Sequence, residues 1–141
     1  MSGETSCSEV VTYYLQKIHA ASHLNAFVEV YEEECITRAK HLDLKRKEGG
    51  ICGKLHGVII ALKDVICYKE HRITAASGIL KNFTSVYNST AVERLLAEDA
   101  IIIGNCNCDE FALGSTNENS VYGRVLNALD EKKVPGVSSG G

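Results

Sequence analysis

From Thr90 to Gly104 the chain reads TAVERLLAEDAIIIG, a helical pattern that runs directly into a short apolar segment. Thr90 and Glu93 stand at capping-box spacing, which predicts a helix start there. The segment after it, AIIIG, reads as a buried strand. A second, nearly continuous apolar run, HGVIIALKDVI from His56 to Ile66, comes earlier in the chain and predicts a strand buried on both faces. Strand, helix and strand in this order make a crossover unit, so the chain calls for an α/β sheet with helical cover.

The segments before it fit the same class. SCSEVVTYYLQKIHAAS begins with Ser6 and Glu9 at capping-box spacing, and Val10, Val11, Tyr14, Leu15 and Ile18 then recur with a helical period. NAFVEVY, Asn25 to Tyr31, alternates and is β-branched, as a strand requires. EEECITRAKHLDLKRKEGG opens with acids, closes with bases and stops at glycine, which predicts a helix. Its basic run, Lys45-Arg46-Lys47, reads as a solvated helix end that suits the negative pole of the dipole. With 141 residues, 45% of them hydrophobic, there is enough chain for one core and too little for two. No repeat, low-complexity tract or internal linker interrupts it.

Several function classes are disfavoured at once. A net charge of −3 offers no general attraction to nucleic-acid phosphates. No apolar stretch approaches the ~20 residues of a membrane-spanning helix. The opening MSGETSCSEV lacks the basic and then apolar regions of a secretory leader, so the triplets Asn82-Phe83-Thr84 and Asn88-Ser89-Thr90 carry little weight as glycosylation acceptors. Six cysteines, at 7, 35, 52, 67, 106 and 108, show no C-x-x-C pair and read as free thiols. His19 and His23 lie four apart on one helix but have no further ligand placed to complete a metal set.

Lys63 is the anomaly, a lysine inside VIIALKDVI where burial is expected. It either pairs with Asp64 or snorkels out at the strand end, or it is a desolvated amine able to act as a base. Asp109 and Glu110, as strand neighbours, would point to opposite faces, which suits capping or turns better than a two-carboxylate mechanism. ALGSTNENS is rich in small polar residues after a strand, where site-forming loops of α/β sheets lie. The closing VPGVSSGG offers consecutive N–H groups and hydroxyls that could cradle an anion, yet it lacks the lysine and layout of a P-loop.

Taken in order, GVIIALKDVI, TAASGIL, NCNCDEFALGSTNENSVYG and VPGVSSGG resemble the successive blocks of the amidase signature family, over residues 53 to 141 almost without gaps. Lys63 and Ser138 are 75 residues apart, as the family's catalytic lysine and bridging serine are. The resemblance implies an α/β/α sandwich around a central mixed β-sheet. Residues 1–141 would form its incomplete N-terminal portion, within a single amidase domain. It implies a Ser–cis-Ser–Lys triad in which Lys63 is the base and Ser138 the bridging serine, with Gly114, Ser115 and Ser139 as substrate contacts. The nucleophilic serine would lie in a second glycine-rich block that this chain does not contain. Val137 stands where the family has glycine, before a bond that is cis in the family. Asn105, Cys106 and Cys108 replace the more usual Lys, Thr and Met.

Within the family, DEFALGSTNENS and VLNALDEKKVPG are most similar to the glutamine-hydrolysing A subunit of the tRNA-dependent amidotransferases. That similarity implies glutamine as the small-molecule substrate and the amidotransferase B and C subunits as partners. It also implies ATP and Mg²⁺ on a partner subunit, no metal or cofactor on this chain, Glu-tRNA(Gln) reached through the complex, and a cytoplasmic location without membrane contact. A stand-alone amidase of the same family, and a non-catalytic fragment that binds anions or acts as a scaffold, are the alternatives.

Overall fold

The computed structural model describes residues 5–136 and 138–141. Its regular elements follow the order α1 (Cys7–Ala20), β1 (Phe27–Val30), α2 (Glu32–Lys47), β2 (Ile59–Lys63), α3 (Thr90–Ala97) and β3 (Ile101–Cys106), with short 3-10 turns at Ser22–Leu24 and Glu110–Ala112. The three strands form a mixed sheet in the order β1-β3-β2, with β1 antiparallel and β2 parallel to the central β3.

Strand β3 organises the layers because its side chains alternate across the sheet. Ile101 and Ile103 face α1 and α2, in a core with Cys7, Val11, Leu15, Cys35, Ala39 and Leu42. Ile102 faces the other way, toward Val92 of α3 and Leu62, Tyr31 and Tyr68. Helices therefore cover both faces, which is the α/β/α layering expected. Parallel β2 and β3 are joined by the crossover through α3, as the sequence requires.

Several expectations change in detail. Strand β2 lies at the sheet edge: Leu62 is fully buried, Ile59 and Ile60 are half-buried, and Ala61 is exposed. The expectation of burial on both faces holds for β3 alone, because only the central strand has a neighbour on each side. The cap of α3 is Ser89, whose backbone is extended and whose hydroxyl accepts from Val92 N at 3.4 Å; Thr90 is already helical. The box at Ser6 and Glu9 forms as expected. Tyr14 is exposed, and the buried stripe of α1 is Cys7, Val11 and Leu15. The six cysteines are free thiols.

The basic end of α2 is only partly a solvated one. Lys45 Nζ lies 2.6 Å from Asp99 Oδ2, and the same carboxylate accepts from Gly53 N at 2.7 Å and faces His56 Nδ1 at 3.2 Å. Asp99 sits at φ 66 just before β3, so this cluster ties the end of α2 to the loop entering β2. Burial alone would raise the Asp99 carboxyl, but the Gly53 N–H, Lys45 and His56 outweigh it and hold it well below the usual carboxylate range. A carboxyl lowered in the folded state stabilises the fold above its unfolded pKa of about 3.9, and loses that contribution as pH falls below it. Asp99→Asn, which tolerates the same backbone, is therefore expected to cost about 2 kcal/mol at pH 7. That figure is reduced from the buried-pair range because Lys45 is 30% exposed. The gap in melting temperature between the two proteins should narrow steadily as pH drops below about 4, toward the lowered folded-state range of Asp99; a gap as wide at pH 2 as at pH 7 would contradict this account.

Among the described residues β1 and β2 each pair with β3 only, so both outer edges of the sheet are open. Ile51, Ile79, Val86, Leu113 and Leu129 are also largely exposed. Unpaired edges and apolar surface favour association. The isolated 141-residue chain is expected to bind a hydrophobic dye strongly and to aggregate on heating; a monomeric, cooperative melt without dye binding would argue against it.

Candidate active site

Lys63 is the last residue of β2, and its carbonyl accepts from Val65 N at 2.7 Å and Ile66 N at 2.9 Å as the chain turns. Its half-buried side chain reaches across to the C-terminal segment, where Nζ donates to Ser138 Oγ at 2.8 Å. Ser138 is itself buried. The structure thus brings together two residues that the sequence separates by 75 positions. The bond preceding Ser138 involves Val137, which lies outside the described residues.

No ion pair joins Lys63 to Asp64 among the described residues. Asp64 is fully buried and accepts from Thr74 N at 3.0 Å, Ala76 N at 3.1 Å, the Thr74 hydroxyl and, at 3.5 Å, Asn105 Nδ2. The adjacent pair Lys63-Asp64 is thereby split: one side chain goes to the serine, the other to the loop at 74–76. Ala75 and Ala76 in that loop are left-handed, at φ 49 and 52, which no alanine in a sequence announces.

Downstream of β3, Asp109 takes the turn role expected of it. It is buried and accepts from Asn117 N at 3.0 Å and Asn119 N at 3.1 Å, folding the loop back on itself. Glu110 accepts from Ser77 Oγ at 2.6 Å, linking the same loop to residues 74–77. Neither residue lies in a strand, since β3 ends at Cys106. Gly114 packs over Asp109 so closely that a Cβ there would lie 2.3 Å from the carboxylate. Gly114, Ser115 and Ser139 are exposed, and none of the three is hydrogen-bonded to Lys63 or Ser138 among the described residues. Beside the pair, Cys106 stands opposite Lys63 in the β2–β3 register. Burial, and then Cys108, push its thiol up to about 11, so it stays protonated near neutral pH.

His19 and His23 are exposed and face Glu32 and Glu131 separately. Among the described residues no group of three or more His, Cys, Asp and Glu side chains could hold a metal ion. Among the described residues no helix is long and apolar enough to cross a membrane. An apolar cavity of about 440 Å³ between α1 and β1, walled in part by Ile18, Leu24 and Phe27, is lined by neither Lys63 nor Ser138. The geometry of the lysine–serine pair, rather than cavity size, marks the candidate site.

The Amidase family model matches residues 9–141. The chain belongs to the amidase family. The A subunit of glutamyl-tRNA(Gln) amidotransferase from Chlorobium chlorochromatii (strain CaD3) is 50% identical over 141 residues, which are 100% of this chain and 30% of that protein. Among solved structures, a chain from a vestigial protein complex tied to the evolutionary origins of an s-triazine catabolic enzyme superposes with a TM-score of 0.93 at 33% identity. It is matched over 99% of this chain and 31% of its own. The A subunit of glutamyl-tRNA(Gln) amidotransferase from Thermotoga maritima superposes with a TM-score of 0.77 at 31% identity, over 95% of this chain and 27% of its own. The amidase chain described here therefore spans about 30% of the length of the curated relatives it matches.

Proposed function

We propose that the protein containing this chain is the glutamine-hydrolysing, ammonia-releasing subunit of a tRNA-dependent amidotransferase that converts Glu-tRNA(Gln) to Gln-tRNA(Gln). The observation that carries the reading is the 2.8 Å contact from Lys63 Nζ to Ser138 Oγ, in a chain 50% identical to such a protein. In this reading residues 1–141 are the N-terminal portion of one amidase domain, and the nucleophilic serine is supplied by chain beyond Gly141. Lys63, in its uncharged form, accepts a proton from Ser138. Ser138 in turn takes the proton of the nucleophile, which attacks the glutamine carboxamide carbon. The proton held at Lys63 returns through Ser138 to the leaving nitrogen, ammonia departs, and water then hydrolyses the acyl-enzyme to release glutamate. The oxyanion donors would come from the nucleophile's own block. Gly114, Ser115 and Ser139 are the proposed substrate contacts. The ammonia passes to the partner B and C subunits, where ATP and Mg²⁺ activate Glu-tRNA(Gln), in the cytoplasm.

The test is glutamine-dependent ammonia release, and formation of Gln-tRNA(Gln), by the full-length protein assembled with its partners. Both are expected, while the 141-residue chain alone should release no more ammonia than its Lys63→Ala variant. Turnover of simple amides without glutamine or tRNA dependence would favour a stand-alone amidase. Activity of the isolated chain above the variant would overturn the division of the triad.

A further inference from the structure

We infer that Asp64 is a positioning residue for the lysine–serine pair, a role that rests on the amidase reading of Lys63 and Ser138. A lysine side chain has four rotatable bonds, so a 2.8 Å contact to a serine needs its backbone held from every side. Asp64 supplies most of that restraint. Its backbone N–H donates to Cys106 O at 3.1 Å, extending the bond to β3 one residue past Lys63. Its carbonyl accepts from Ala75 N at 2.8 Å, and its carboxylate gathers Thr74 N, Ala76 N and the Thr74 hydroxyl. With no exposed surface, it has no contact with water to replace any of these donors.

The second half of the argument is where the gripped turn leads. Two consecutive left-handed alanines are unfavourable for L-residues and persist only where the surroundings fix them. Here the Asp64 carboxylate is what fixes them. The turn it stabilises aims Ala75 O at Phe111 N, 2.8 Å away, and Ala76 O at Val121 N, 3.0 Å away. Both acceptors thus hold the loop that follows β3 and carries Gly114 and Ser115. One carboxylate therefore sets the lysine and the proposed substrate-contact loop relative to each other. A buried carboxylate serving stability alone would not need to sit next to the base and hold both sides of the site.

The experiment compares Asp64→Asn, Thr74→Val, Thr74→Ser and Lys63→Ala in the full-length, partner-assembled protein, with glutamine as substrate. Asp64→Asn turns one acceptor oxygen into a donor that faces other donors. Misplacement on the ångström scale costs about 100-fold in rate. We expect kcat for Asp64→Asn to fall by about that factor with KM changed less than about threefold. Thr74→Val, which removes only the hydroxyl, should lower kcat by about tenfold, and Thr74→Ser should restore it. Should Asp64→Asn fail to fold, the Thr74 pair decides. The inference is overturned by wild-type kcat in Thr74→Val, by no rescue in Thr74→Ser, or by a loss that follows only the fraction of folded protein. Wild-type turnover in Lys63→Ala removes the amidase reading and this inference with it. Inactive Lys63→Ala beside fully active Asp64→Asn and Thr74→Val removes the positioning role alone.

Discussion

Lys63→Ala and Ser138→Ala, each made in the full-length protein, are expected to lower glutamine turnover by about a thousand-fold or more while the fold survives. The two residues touch at 2.8 Å and, in the proposed relay, move one proton in sequence. Removing either breaks the same relay, so the double variant should be little worse than each single one, far from the product of the two losses. Lys63→Arg should not restore activity, because a guanidinium keeps its proton at any working pH and cannot accept another from Ser138. An ion-pairing role for Lys63 would have required the opposite result, rescue by arginine. The structure already weakens that role, since the Asp64 oxygens are occupied by Thr74, Ala76 and Asn105. Steady-state kinetics with circular dichroism on the four variants is the measurement. Full activity in Lys63→Arg would end the assignment of a base to this position.

What the sequence shows about this site depends on whether the property is local. Ser6 with Glu9, and the acid-to-base order of α2, are local signals, and both helices form where they predict. The layering is legible too, because an apolar run feeding from a helix has few ways to bury both faces. Which strand is central is not local: IIAL and AIII look alike, yet only β3 gains two neighbours, and β2 is left at the edge. Position 89 illustrates a finer limit. Ser89 and Thr90 are both good caps, and the choice follows from the extended backbone of Ser89 on leaving the preceding loop. At the site, Lys63 is conspicuous because a charge interrupts an apolar run, whereas its contact with Ser138 becomes visible only by family resemblance or in three dimensions. Asp64 and the turn at Ala75-Ala76 carry no local signal at all. A carboxylate beside a lysine reads as its ion pair, and alanine is the last residue whose identity suggests a left-handed backbone.

Gly104→Val is expected to destabilise the protein by at least about 3 kcal/mol, a large fraction of the ~5–15 kcal/mol that holds a typical domain folded. In sequence this glycine closes the apolar segment AIIIG, and β3 runs through it to Cys106. Glycine inside a strand marks a close backbone approach or a bulge, and here both occur. The β2–β3 register shifts between Ile60 and Ala61, just where Ala61 pairs with Gly104, and the β1–β3 register shifts one residue further on, between Phe27 and Glu29 opposite Cys106 and Asn105. A Cβ at this position would lie 2.4 Å from the Glu29 carbonyl oxygen, 3.1 Å from Val30 Cα and 3.1 Å from the Phe27 ring. Two of those three neighbours are backbone, which cannot rotate aside as a side chain would. Relief would require β1 to move off the central strand, breaking ladder bonds and lifting Phe27 and Val30 from the core formed with α1 and α2. Alanine meets the same Cβ contact, so Gly104→Ala should already be clearly destabilised, and valine more so. Both β-branching and bulk favour valine in strands generally, so a propensity-based view predicts stabilisation instead. Chemical denaturation of the full-length protein separates the two: a midpoint for Gly104→Val equal to or above that of the wild type would show that β1 yields without cost.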